Sequence, residues 1–199
     1  LLDSLYRNGK NLFDITVLCE YSDTDFQKGY MVTQKAFYNK HRYNHRFPIK
    51  WAERESTNLS EDLLIYLQQS RPLTCLLNDE NILFSNYLSY SQIYSLFFKY
   101  TPCALSLRLG NNTVIQNPYE SSDYFSPLPE EGEFILDRFL LWDATQINPY
   151  TNFAIPFSTS GHIYNKNVLH DVLSMATVYD KETFEPTLQK VLYDGGFSN

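Results

Sequence analysis

With 199 residues and a formal net charge of −7, the chain is long enough for one sizeable core or two small ones, and its acidity argues against a nucleic-acid polymer as partner. Hydrophobic residues make up 43% and aromatics 16%, with sixteen Tyr and fourteen Phe, which marks a folded, ring-rich chain rather than a disordered one. Only seven glycines are present, against glycine-linker or glycine-rich phosphate-loop designs, and no apolar run reaches the roughly 18 residues of a bilayer span.

A small nucleotide needs only a local pocket and stays compatible with the charge. No signal-peptide pattern opens the chain. The segment Leu1–Tyr6 reads as the middle of a helix, so the expectation is a domain whose own beginning lies before Leu1. The odd cysteine count (Cys19, Cys75, Cys103) in apolar, strand-like settings suits reduced thiols in the cytoplasm better than disulfides, zinc or a catalytic thiol.

The first helix is expected to run to about Lys10, with Asn8-Gly9 as its stop. Asp14–Cys19 is a β-branched apolar run that suits a strand covered on both faces. Ser22-Asp23-Thr24-Asp25 carries helix-capping chemistry ahead of a helix from Phe26 towards Phe37. Ser60-Glu61-Asp62 opens another helix, its acids in the first turn where the dipole favours them, and this helix ends near Ser70. Leu73–Leu77 reads as a second strand, Tyr87–Lys99 as a helix and Cys103–Leu109 as a third strand. Alternating strands and helices predict an α/β fold with a mostly parallel central sheet flanked by helices. Beyond a loop-like stretch from Asn111 to Gly132, the segment Phe134–Trp142 fits strand or helix equally. Phe153–Phe157, with Pro156, reads as a short edge strand, and helices are expected at Val168–Met175 and Pro186–Tyr193.

Ligands of parallel α/β sheets bind beyond the carboxyl ends of the strands, and Asn78-Asp79-Glu80 falls at such a place. The triplet is either a turn with capping residues or a set of hard oxygen ligands for a divalent cation on a diphosphate. Arg108, inside an apolar run, needs an acidic or phosphate partner to offset desolvation: a structural ion pair or a substrate clamp. Ser160 and His162, in Ser158-Thr159-Ser160-Gly161-His162, offer a hydroxyl and a proton carrier; the bland reading is a loop histidine held by a backbone hydrogen bond. A basic stretch holds Lys35, Lys40, Arg42, Arg46, Lys50 and Arg54, with His41 and His45 at one-turn spacing. It reads as a solvated face, or as a surface for phosphorylated or lipid-linked acceptors.

The order of "LLDSLYRNGKNLFDITVLCEYSDTDFQKGY", "LLNDENILF", "ALSLRLGNN", "WDATQ", "IPFSTSGHIYNKNVL" and "FEPTLQKVL" resembles a family of bacterial glycosyltransferase-like proteins with the GT-A fold. The resemblance implies a single GT-A-like domain over 1–199, with a nucleotide-sugar half at about 1–110, an acceptor-side half at about 111–199, and a first strand preceding Leu1. It implies a nucleotide-sugar donor, a glycan or lipid-linked acceptor, and Mn²⁺ or Mg²⁺ on the acidic motif. Carried over to this chain, Asp79 and Glu80 would hold the metal, and Asn78, Asp79, Glu80 and Arg108 would face the donor diphosphate. Asp143, Ser160 and His162 would form the catalytic side, and Trp142 would be a sugar-stacking ring or a core residue. The implied location is the cytoplasm, including the inner face of the membrane. Two positions depart from the family pattern: Asn78 begins the triplet where an acid is usual, and Ser160 stands where an Asp tends to precede the Gly. The alternative is therefore a catalytically inactive module of the same fold that binds a nucleotide or a protein partner.

Overall fold

A computed structural model describes residues 2–8, 14–41, 49–78, 80–81, 89–107, 128–136, 139–148 and 151–194. In chain order these form α1 (Leu2–Asn8), β1 (Thr16–Cys19), α2 (Thr24–His41), β2 (Lys50–Glu53), α3 (Leu59–Gln69), β3 (Leu73–Leu76), α4 (Tyr90–Tyr100), β4 (Ala104–Ser106), β5 (Glu133–Ile135), β6 (Phe139–Leu141), β7 (His162–Asn165), α5 (Lys166–Met175) and α6 (Lys181–Tyr193). Short 3₁₀ turns cover Ala144–Gln146 and Asn152–Ala154. Contacts divide the chain into two units, Leu1–Thr57 with Ile82–Phe98, and Asn58–Asn81 with Lys99–Asn199. The expected halves at 1–110 and 111–199 follow sequence order, whereas this division follows strand pairing.

In the first unit, β1, α2 and β2 make a β–α–β element whose strands pair in parallel, Thr16 opposite Lys50 and Cys19 opposite Glu53; a parallel pair needs such a crossover. The cap read from the sequence is present. Asp23 Oδ1 accepts the N–H groups of Asp25 (2.9 Å) and Phe26 (3.1 Å), and α2 continues one turn past Phe37 to His41. Asp3 of α1 meets Lys40 at 2.5 Å and His41 at 3.2 Å on α2. These bonds hold the Asp3 carboxyl below its usual range, Lys40 contributing most. His41 is therefore committed to Asp3, and its one-turn companion His45 lies outside the described residues, as do Arg42 and Arg46.

The second unit holds an antiparallel sheet in the order β3-β7-β4. Leu76 and Ser106 both stand opposite His162, and Thr74 and Ala104 both stand opposite Tyr164. The expectation of a mostly parallel sheet thus holds for β1 and β2 only; among the described residues the other pairs, including β5 with β6, are antiparallel. β3 and β4 do run the same way, but β7 lies between them in the opposite sense. The second unit is thus part of a mixed α/β fold whose central strand comes from late in the chain.

The core of this unit joins Phe157, Tyr164, Leu169, Val172, Leu173, Val178, Phe184 and Leu188 with Leu67 of α3. Leu169, Val172 and Leu173 follow the helical i, i+3, i+4 spacing, and α5 contacts α3, α6 and β7. The first turn of α3 donates into the segment before α6: Leu59 N–H to Tyr179 O at 3.2 Å and Ser60 N–H to Val178 O at 3.1 Å. These bonds satisfy donors that Asn58 leaves open, since its side chain makes no cap bond.

Three local expectations change. Phe153–Phe157 is not a strand, because Asn152–Ala154 closes a 3₁₀ turn with Ala154 N–H on Thr151 O. Of the ambiguous Phe134–Trp142 segment, Phe134 and Ile135 belong to β5 and Phe139–Leu141 to β6, with Leu136 at φ 50°. Gly132 precedes it because a Cβ there would come within 2.7 Å of Leu140 Cδ1. The last helix starts at Lys181 rather than Pro186, because Asp180 and Thr183 form a reciprocal capping box; the box outweighs the cost of Pro186 inside the helix.

Candidate functional site

Because β3 and β4 run together and β7 runs against them, three chain segments meet at one sheet edge: the carboxyl ends of β3 and β4, and the amino end of β7. Asn78, two residues past β3, donates from Nδ2 to Ser160 Oγ at 2.9 Å. The Asn78 side chain also accepts the Glu80 N–H at 3.2 Å, and its own N–H donates to Asn81 Oδ1 at 3.0 Å. Asn78, Glu80 and Asn81 thus make the hydrogen bonds of a turn, as the plain reading expects, and Asn78 is also tied across the sheet to the second motif. Glu80 is exposed beside this turn, and Asn78 and Ser160 are half-buried. Asp79 and Arg108, two of the residues expected at the diphosphate, lie outside the described residues.

Gly161 closes the edge. Its N–H donates to Leu76 O at 2.9 Å, and its carbonyl accepts Leu107 N–H at 2.8 Å. It spans β3 and β4 with φ 75°, a left-handed conformation that side-chain-bearing residues adopt at a cost.

Beneath Gly161 the backbone is fixed by a polar cluster. Ser158 is fully buried. Its N–H donates to the Tyr164 hydroxyl at 2.6 Å, and that hydroxyl donates to the Ser158 carbonyl at 2.7 Å. Ser158 Oγ donates to Glu185 Oε1 and accepts the Ser160 N–H at 3.1 Å. Every polar atom of Ser158 is therefore paired, as burial requires. Burial pushes the Tyr164 phenol well above its usual range.

The expected catalytic residues separate. Ser160 sits at the edge. His162 begins β7, not a loop, and its side chain is 2% exposed, stacked on Tyr164 at 6.1 Å and 17°. Its Nδ1 lies 3.3 Å from the Ser160 carbonyl; a carbonyl only accepts, so this contact places the proton on Nδ1. Asp143 lies elsewhere. Its carboxylate caps the 3₁₀ turn by accepting Thr145 N–H at 2.9 Å and Thr145 Oγ1 at 2.7 Å. Its charge is felt by the Cys103 thiol, just before β4, the opposite end of that strand from Ser160. Trp142 is a structural ring, edge-on to Phe153 at 5.4 Å and bonded through Nε1 to Phe153 O at 2.8 Å.

Among the described residues, no group of three or more His, Cys, Asp or Glu side chains is placed to hold a metal ion. The edge offers one described carboxylate, Glu80. No described helix is long and apolar enough to cross a membrane.

Of the residues at this edge and beneath it, the sequence singles out Asn78, Glu80 and Ser160 but not Asn81, Tyr164 or Glu185. The Asp180–Thr183 capping box is the signal that would have set the phase of α6 and placed Glu185 beside the buried Phe184. No family model, curated protein or solved structure matches the chain.

Proposed function

We propose that the chain is a GT-A-like glycosyltransferase domain that moves a sugar from a nucleotide-sugar donor to a glycan or lipid-linked acceptor. The observation that carries this reading is the Asn78–Ser160 bond. It joins the two motifs of the family resemblance, 82 residues apart, at the sheet end where the carboxyl ends of β3 and β4 meet the amino end of β7. The edge is chemically suited to a polyol: an amide, a hydroxyl and a carboxylate, each able to bond sugar hydroxyls or a diphosphate.

In the transfer, an acceptor hydroxyl oxygen bonds to the anomeric carbon, the bond from that carbon to the diphosphate oxygen breaks, the nucleoside diphosphate leaves, and the hydroxyl proton passes to the departing diphosphate or to water. Mn²⁺ or Mg²⁺, when bound, supplies charge stabilisation on the leaving diphosphate; Glu80, and Asp79 beside it in sequence, would hold it together with the phosphates. Asn78 and Ser160 orient the donor, while Arg108 is assigned to the diphosphate by the motif alone. His162 stiffens the Ser160 turn from within the core. Asp143, as a cap at the far end of β4, has no direct part in this arrangement.

The neutral Asn78–Ser160 pair also favours a second reading, a module of the same fold that binds the nucleotide without transferring sugar. Thermal-shift titration with UDP- and GDP-sugars, with and without Mn²⁺, followed by donor-hydrolysis assays, tests both. The transferase reading expects a metal-dependent shift with at least one donor, and turnover of that donor. Binding without turnover transfers the case to the inactive module, and no shift with any donor refutes both.

A further inference from the structure

We infer that Glu185, on α6, is a positioning residue for the strand-end edge, acting on Ser160 through Ser158. This inference rests on the proposed donor site for its ligand, and on geometry alone for its mechanism.

Glu185 bonds the hydroxyl of Ser158, and that same hydroxyl oxygen receives the Ser160 N–H. One oxygen therefore links a helix on the core side to the backbone of the residue whose Oγ meets Asn78. A carboxylate acceptor on a hydroxyl makes a charge-assisted bond, stronger than a neutral one. It also orients the hydroxyl: with its proton committed to Glu185, the Ser158 oxygen presents a lone pair to the Ser160 amide. The other restraints act on other groups of the turn: Tyr164 on the Ser158 backbone, Leu76 and Leu107 on Gly161, His162 Nδ1 on the Ser160 carbonyl and Asn78 on the Ser160 side chain. Among the described residues, the link from Glu185 through Ser158 is the one that ends on the Ser160 N–H. Glu185 is half-buried in a helix whose buried contacts are Phe184 and Leu188, so its carboxylate is not needed to fill the core. A carboxylate held at the edge of a core, bonded to a serine that orients a site residue, is the arrangement of a supporting shell rather than of packing.

The test uses the full 199-residue chain and four variants: Glu185→Ala, Glu185→Gln, Ser158→Ala and the Glu185→Ala/Ser158→Ala double variant, with Leu188→Ala as a packing control. The first readout is amide hydrogen exchange at Ser160 without ligand. Glu185→Ala is expected to speed it about tenfold or more relative to the global unfolding limit of the same variant. Glu185→Gln, whose carbonyl still accepts the Ser158 hydroxyl through a weaker neutral bond, falls between the parent and Glu185→Ala. Adding Glu185→Ala to Ser158→Ala changes little further, since both cut one chain of bonds. Leu188→Ala lowers overall stability without a selective change at Ser160.

The second readout is affinity for UDP-glucose or GDP-mannose with Mn²⁺, whichever the parent binds. Loss of a supporting residue is expected to weaken it about tenfold in Glu185→Ala, with Glu185→Gln between that variant and the parent and Leu188→Ala unchanged. Unchanged Ser160 exchange in Glu185→Ala, or additive effects of the two substitutions, overturns the positioning role. So does parent-like donor affinity in Glu185→Ala. A parent that binds no sugar nucleotide refutes the donor reading instead, while the exchange measurements still decide whether Glu185 positions the turn.

Discussion

Replacing Tyr164 by Phe isolates a single hydroxyl at the centre of the second unit. The ring stays, with its stacked contacts to Phe157 at 5.9 Å and His162 at 6.1 Å, so the packing term is nearly constant. What is lost is the oxygen that both accepts the Ser158 N–H and donates to the Ser158 carbonyl. Ser158 and Tyr164 are both fully buried, so neither backbone group finds water without a local opening. Each buried group left unpaired costs about 1–3 kcal/mol, which gives about 2–4 kcal/mol once some relaxation of the turn is allowed. Urea unfolding measures it, and because the chain has two units the probe must be local. Of the two tryptophans, Trp142 lies in the second unit, so its fluorescence in a Trp51→Phe background follows that unit alone. With a urea slope of about 2 kcal/mol per molar, the midpoint should fall by about 1–2 M at constant slope. A shift corresponding to less than about 0.5 kcal/mol, the range of an ordinary surface substitution, would refute the claim that the phenol locks the Ser158 backbone.

Two further outcomes follow from the same sheet. Burial pushes the Cys75 thiol up to about 12 from its ordinary 9.0; with the folded value raised, the contribution is fully present below pH 9 and lost as pH rises towards 12. Alkaline urea titrations should show stability falling through that window, and Cys75→Ala should flatten the fall, leaving the parts that the raised Cys103 thiol and Tyr164 phenol contribute. Gly161→Ala places a Cβ at φ 75° and should cost about 1–2 kcal/mol by the same urea assay, with Gly161→Asn costing less because Asn tolerates the left-handed region; equal stability of all three would contradict the turn geometry.

What the sequence reveals here is local chemistry, and what it hides is pairing. The Ser22–Asp25 cap, the β-branched run of β1 and the helical spacing on α5 are legible because each is decided by neighbours within a turn or two. β2 and β7 are not. His162-Ile163-Tyr164-Asn165 has too little apolar character to announce a central strand, and its burial comes from β3, β4 and α5 together, which is tertiary context overriding propensity. Reading α/β alternation as a parallel sheet failed for the same reason, since β3 and β4 look like consecutive strands until a later segment is known to lie between them. The candidate site divides in the same way. Asn78 stood out as a polar residue at the end of an apolar run and Ser160 as a hydroxyl before the Gly of its motif, but their bond depends on β7 running against its neighbours. Asp143 and Trp142 stood out for their residue types, and residue type did not reveal that one caps a 3₁₀ turn and the other is pinned to Phe153.

That antiparallel insertion bears directly on the chemistry available at the edge. Had β7 run with β3 and β4, its amino end would lie at the opposite edge, and Ser160 would face the loops before β3 and β4 instead of the Asn78 turn. Reversal brings two polar turns from distant parts of the chain into hydrogen-bond contact. It also leaves His162, the first residue of the strand, facing the core with Tyr164. The edge therefore gains a hydroxyl and an amide but gains no described histidine, and its described charge comes from Glu80 alone. Under the proposed function, such a site would take hydroxyl- and phosphate-bearing ligands through hydrogen bonds fixed from beneath. Its strength as a donor site depends on how firmly Ser158, Tyr164 and Glu185 hold the turn that carries Ser160.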